Sequence, residues 1–159
     1  MIESAVYVYL GSVVAFQQTN IEFEDFPGWS TDMMIWDPDQ RMLVITTGAT
    51  RGAVHFRSEI YSEDPPMEEA GWDSMQEVSV RFDTGDVRLV DVEFMQTETF
   101  PAESLISHPG GYRIRLYETG RESPVEMQKP EDQLAERYLM QIWPDSIERP
   151  PTQVVRLRG

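Results

Sequence analysis

The chain has 159 residues, with 28 acidic against 13 basic side chains, a formal charge of −15 and no cysteine. That length predicts one domain, able to bury about 70% of its extended surface. Without thiols there are no disulfides, thiolate metal sites or thiol nucleophile, and a strongly anionic surface argues against a nucleic-acid partner, whose binding needs cations against phosphates.

The start, Met1-Ile2-Glu3-Ser4, lacks a basic leader segment, and the apolar residues after it alternate with polar ones. The expectation is a cytoplasmic protein with no membrane association. Val6, Val8 and Leu10 alternate with Tyr7 and Tyr9, which predicts a strand; Gly11-Ser12 turns it, and a second strand is predicted from Val13 to Glu24. Asp25-Phe26-Pro27-Gly28 breaks the pattern. Residues 32–36 read equally as a short strand or one helical turn. Asp37-Pro38-Asp39-Gln40 is a turn, and Arg41 to Thr47 has the β-branched enrichment of a central strand.

Ala53 to Tyr61 alternates again, and a loop carrying Glu63, Asp64, Glu68, Glu69 and Asp73 with two prolines and no base follows. Glu77 to Phe82 and Val87 to Phe94 are predicted strands joined as a hairpin through Asp83-Thr84-Gly85-Asp86. After Pro109-Gly110-Gly111 the alternation is clearest: Tyr112, Ile114 and Leu116 on one face, Arg113, Arg115 and Tyr117 on the other. Tyr138 to Trp143, closed by Pro144, is its natural antiparallel partner. Pro130 to Arg137 is the only stretch with helical character, two turns at most, and Gln153 to Leu157 is a terminal strand. Eight to ten short strands at this spacing predict a single all-β domain over residues 1–159, an antiparallel β-sandwich with at most one short helix.

Chemistry-bearing patterns are sparse. His55 sits in an alternating strand and His108 in a turn, with no nucleophile elbow to support a triad. The acidic pairs do not match a calcium loop, and the glycines are too scattered for a phosphate cradle. No catalytic residue, cofactor or metal is therefore expected. Trp29 and Trp72 lie in acid-flanked loops, an interface composition, although aromatic caps at the open end of a sandwich would look the same. The charge is uneven: residues 1–108 hold 20 acids and 5 bases, whereas residues 109–159 hold 8 of each. Such a surface attracts basic partners.

A Trp-containing early loop is followed by the Arg41 to Thr47 strand, the Val54 to Tyr61 strand and Glu77-Val78-Ser79-Val80-Arg81-Phe82. A strand like Val87 to Phe94 comes next, then Pro-Gly-Gly-Tyr-Arg-Ile-Arg-Leu, a polar insertion and the strand to Trp143. This order resembles the ComJ/Nin family, small acidic proteins that inhibit a competence-associated nuclease. The segment 120–137 and the tail after Trp143 depart from that family's compact form. The resemblance implies a non-enzymatic inhibitor, akin to an immunity protein, whose carboxylates stand in for phosphates in a basic partner. With the charge map, it nominates Glu63, Asp64, Glu68, Glu69, Trp72, Asp73, Trp29 and Asp32 as partner-binding residues. The alternative is a structural or ligand-binding accessory β-sandwich that works as an oligomer; an enzyme ranks third.

Overall fold

The computed structural model describes residues 2–9, 12–16, 32–39, 41–48, 51–91, 103–121 and 133–157. Its strands are β1 (Ile2–Tyr9), β2 (Ser12–Phe16), β3 (Met34–Asp37), β4 (Met42–Thr46), β5 (Arg51–Ile60), β6 (Ser74–Phe82), β7 (Arg88–Asp91), β8 (Gly110–Thr119), β9 (Gln133–Pro144) and β10 (Val155–Arg156). They form a β-sandwich. One layer runs β6-β8-β9-β5-β1, with the two-residue β10 added outside β6; the other is β7-β2-β4-β3. Among the described residues the layers join through one ladder step between β1 and β2, Tyr9↔Ser12.

β8 is the spine of the larger layer. It pairs antiparallel with β6 from Ser74↔Glu118 to Phe82↔Gly110, and with β9 from Tyr112↔Pro144 to Thr119↔Arg137, which bears out the partnership expected for these two strands. Its even-numbered apolar residues face inward. Tyr112, Ile114 and Leu116 join Val78, Val80, Phe82, Phe56, Tyr138, Met140 and Ile142 against Val13, Ala15, Leu43, Ile45 and Leu89 from the other layer. Phe56 and Tyr138 stack at 4.7 Å across β5 and β9, the one parallel pair among the described residues.

Three expectations change. The helical character of residues 130–137 yields to a strand from Gln133, because β9 has ladder partners on both sides, β8 and β5; no helix occurs among the described residues. Glu77 to Phe82 and the strand after it are not hairpin partners: β6 pairs with β8, whereas β7 crosses to the other layer and pairs with β2. The loop between them is held instead by residues 104–107. Ser104 Oγ accepts from Val87 N at 2.8 Å, and Leu105 N donates to Val87 O at 2.7 Å. Finally, the sheet is not purely antiparallel. The ambiguous segment before Asp37 is a strand, and of the strand expected over Val13 to Glu24 the portion after Phe16 lies outside the described residues, as do 92–94 of the strand begun by β7.

At one end the layers approach so closely that a side chain has no room. A Cβ on Gly48, just after β4, would lie 1.9 Å from the Arg121 carbonyl oxygen. Gly48→Ala is therefore expected to destabilise the fold by about 1–3 kcal/mol, as overpacking does, read as a lower urea midpoint at unchanged slope.

Candidate functional site

A sheet face with alternating polar residues is normally half-solvated, yet β8 is buried on both sides. The cause lies in Arg113 and Arg115. Both point outward from the sheet, both are 3% exposed, and both bind the same carboxylate on the neighbouring strand: Arg113 Nε donates to Glu77 Oε1 at 3.1 Å and Arg115 Nε to Glu77 Oε2 at 2.8 Å. The remaining donors reach chain segments that cover the face. Arg115 donates to Asp64 Oδ1 at 2.9 Å, to the Pro65 carbonyl at 3.0 Å and to Gln141 Oε1 at 3.3 Å, with its guanidinium 4.9 Å above the Trp143 ring. Arg113 donates to Ser79 Oγ at 3.0 Å and to the carbonyls of Arg149 and Pro150 at 3.4 and 3.3 Å. Desolvation disfavours the Arg115 cation, but the hydrogen bond and charge of Glu77, with Asp64 beyond, outweigh it and hold the proton more tightly than usual.

These anchors hold the acidic loop predicted as the interface. Pro65 is buried under it, and Glu68 N donates to the Tyr117 hydroxyl at 2.8 Å. Glu63, Asp64, Glu68 and Glu69 are exposed along its length, Asp64 as the outer partner of Arg115. Trp72 is half-buried: its ring lies 6.0 Å from that of Tyr117, packs in a small outer cluster with Met75, Leu139 and Leu157, and carries the Arg137 guanidinium 5.6 Å above it. Asp73 ends the loop by accepting from Thr119 Oγ1 at 3.0 Å and Gly120 N at 3.1 Å. Asp32 is placed separately; its carbonyl accepts from Thr46 Oγ1 and, at 3.4 Å, from Arg121. Trp29 lies outside the described residues. The structure thus brings Glu63, Asp64, Glu68, Glu69, Trp72 and Asp73 together on one loop and sets Asp32 at another feature, a cleft.

That cleft was not anticipated. It is a cavity of about 580 Å³ between the edge of β3 and the segment 148–151, lined by Met34, Ile35, Trp36, Val78 and the pair Pro150-Pro151, with Asp32 and Glu148 also in the lining. Volume and lining are in the range of small ligand sites. The signals for it were Trp36 before the Asp-Pro-Asp turn and the double proline, each interpretable separately as a turn.

Two further carboxylates are buried near the Gly48 contact. Glu136 accepts from Gly48 N at 3.0 Å and from the Tyr138 hydroxyl. Glu118 accepts from Arg121 N at 3.1 Å and has its pKa raised, chiefly by desolvation, against the opposing hydrogen bonds of Ser74 and Arg121. Tyr138 is pushed well up by burial and then by Glu136. Among the described residues no three His, Asp or Glu side chains converge as a metal site. His55 is half-buried in β5, and His108 is exposed, its carbonyl accepting from the Tyr112 hydroxyl.

No protein-family model and no curated protein matches this chain. A solved structure titled "Crocagin biosynthetic gene J" superposes with a TM-score of 0.54 at 15% identity, covering 91% of this chain and 96% of that one. At that identity the likeness shows the sandwich fold alone.

Two outcomes follow from the buried charges. Glu77→Ala leaves two buried guanidiniums without their shared partner and is expected to cost about 3–5 kcal/mol in urea unfolding. For Glu118, a folded-state pKa above the unfolded value means that the native chain binds the proton more tightly, so stability is present at low pH and falls as pH rises from the ordinary carboxylate value through the folded one. Glu118→Gln should therefore gain stability relative to the parent as pH rises above the ordinary carboxylate value; parallel stability curves for the two would contradict this.

Proposed function

We propose that this protein is a non-catalytic binding protein that engages a basic partner, such as a nuclease, through the loop carrying Glu63, Asp64, Glu68 and Glu69. The observation that carries this reading is the anchoring of the loop. A stretch with so many like charges tends to remain extended and mobile, and ordering it on a partner would weaken binding. Here Arg115 and Tyr117, both buried, grip the loop backbone at Pro65 and Glu68. Its carboxylates are displayed in the free protein much as a partner would meet them.

The rest of the chain supports the same direction. Arg113 and Arg115 are buried in the Glu77 network, so the charges displayed on this side are the exposed carboxylates of the loop. A basic phosphate-binding cleft would meet carboxylates in place of phosphates, with encounter accelerated by the field of a chain of charge −15. Trp72, packed on Tyr117, stiffens the base of the loop and offers the rim of its ring to a partner. The pattern resemblance to nuclease inhibitors points the same way. Asp32 adds to the field from its separate position, and Trp29 is kept as a partner-binding candidate on sequence alone.

The alternative, a ligand-binding accessory sandwich, draws its support from the 580 Å³ cleft. The two separate by charge. Binding of this protein to a small basic nuclease should weaken as salt rises, and the triple variant Glu63→Lys, Glu68→Lys, Glu69→Lys should lose about tenfold or more in association rate. An association that is indifferent to salt, or unchanged in the triple variant, removes the loop as the interface. A basic protein of equal charge without nuclease activity, run beside it, separates nuclease recognition from plain charge attraction.

A further inference from the structure

The cleft lies where the sandwich stays open. Among the described residues β3 is the last strand of its layer and pairs only with β4, while on the facing edge β6 pairs with β10 at Ser74 and Met75. Main-chain groups along a strand alternate in direction with period two. Met34 N donates to Gln76 Oε1 at 2.9 Å, away from β4, so the main chain of Trp36, two residues on, faces the same way. Across the gap, Thr152 N donates to Glu77 O and Glu77 N to Thr152 Oγ1, each at 2.9 Å, so the main chain of Ser79 also faces the opening. Trp36 and Ser79 both line the cavity.

The opening is braced at both ends. Gln76 spans it at one, joining Met34 N to the Thr152 carbonyl, to which its Nε2 donates at 3.0 Å. Arg41 spans it at the other, reaching the Arg81 carbonyl and the Asp83 carboxylate at 3.4 Å each. The outer wall is fixed as well, since Arg113 holds the carbonyls of Arg149 and Pro150, and Arg149 N donates to Ser79 Oγ at 3.1 Å. What remains between the braces is an apolar floor of Val78 and the Trp36 ring, set edge-on to Phe82 at 5.2 Å, beside a strand edge that no described residue pairs beyond Gln76.

We propose that this cleft receives an extended peptide segment of another protein, in which basic and apolar side chains alternate, paired by its main chain to the edge of β3 at Trp36. An exposed strand edge offers donors and acceptors at the spacing of an extended chain, and pockets beside it select alternate side chains. The apolar side chains fit over Val78 and between Trp36 and Pro150-Pro151. The preference for basic residues comes from the exposed Glu148 in the lining, whereas Arg149, the base among the described lining residues, turns its guanidinium to Asp145 at 3.7 Å. This inference does not depend on the acidic loop, which is anchored elsewhere on the larger sheet.

The test uses the full chain and an acetylated, amidated hexapeptide of alternating Lys and Val, followed by calorimetry and by backbone amide exchange. The expected result is saturable binding with slowed exchange at the Trp36 amide. The same peptide N-methylated at every second residue should bind about tenfold more weakly, because its main chain no longer pairs. Trp36→Ala should weaken binding by a similar factor; because that ring also packs on Phe82, Glu148→Lys serves as the surface variant that leaves the fold intact and should weaken the Lys-containing peptide alone. No saturation at millimolar peptide overturns the proposal. Equal binding of the N-methylated peptide also overturns it, and would assign the cleft to small apolar ligands. If the triple loop variant still binds the hexapeptide normally, the two sites are independent, as proposed.

Discussion

One carboxylate, Glu77, organises the larger sheet. It takes one guanidinium on each oxygen, Arg113 on Oε1 and Arg115 on Oε2, at a position where all three groups are largely removed from water. Such burial is expensive, and an ion pair in this setting contributes less to stability than its attraction suggests. Its consequence lies in what the spare donors do. A guanidinium has five N–H groups in a fixed fork, and one carboxylate cannot satisfy two of them. The remaining donors need acceptors; Ser79 and Gln141 on the neighbouring strands supply two, and the rest come from main-chain carbonyls and a loop carboxylate. Arg115 therefore draws in Asp64 and Pro65, and Arg113 draws in Arg149 and Pro150. The acidic loop and the outer wall of the cleft are both positioned by unsatisfied hydrogen-bonding capacity around a single ion network.

The two ends of the sandwich solve the closure problem differently. Near Gly48 the layers touch backbone to backbone, and the polar groups left over are absorbed by Glu136, Glu118 and Arg121, whose side chain donates to the Thr46 carbonyl at 3.0 Å. Along the β3 edge of the small layer, four residues are too few to meet β6 along its length, and Gln76 closes only one step of the gap with its side-chain amide. An amide mimics a main-chain pair at one point. It cannot continue a ladder, and the cavity begins where it ends.

Strand identity was largely legible because period-two alternation is local: Tyr112 to Tyr117 and Tyr138 to Trp143 announce themselves, and their pairing follows from proximity in the chain. Partner choice elsewhere was not. Asp83-Thr84-Gly85-Asp86 has good hairpin chemistry, yet β6 has a longer partner in β8, and Ser104 competes for the loop's main chain. The strand at Gln133 was masked by charged residues with good helix propensity; tertiary pairing on both edges outweighs a preference of a few tenths of a kcal/mol per residue. The acidic loop was visible as composition, but its anchoring was not, since it depends on Arg115 and Tyr117 some fifty positions away. The cleft was least visible of all, since Trp36, Val78 and the Pro150-Pro151 pair that line it meet only in the folded chain.

Charge separation by burial connects these features. The last third of the chain is balanced in composition, but folding takes Arg113 and Arg115 out of contact with water and ties Arg121 to the Thr46 carbonyl. At physiological salt, fields reach about 8 Å from an exposed charge, so a surface is characterised by what it displays, not by what the chain contains. The Glu77 network uses Arg113 and Arg115 as internal fasteners and leaves the carboxylates of Glu63, Glu68 and Glu69 to the solvent. Arg115 holds the loop in place at Asp64 and Pro65, neutralising one of its carboxylates in doing so, so rigidity and charge at that surface have a common physical origin.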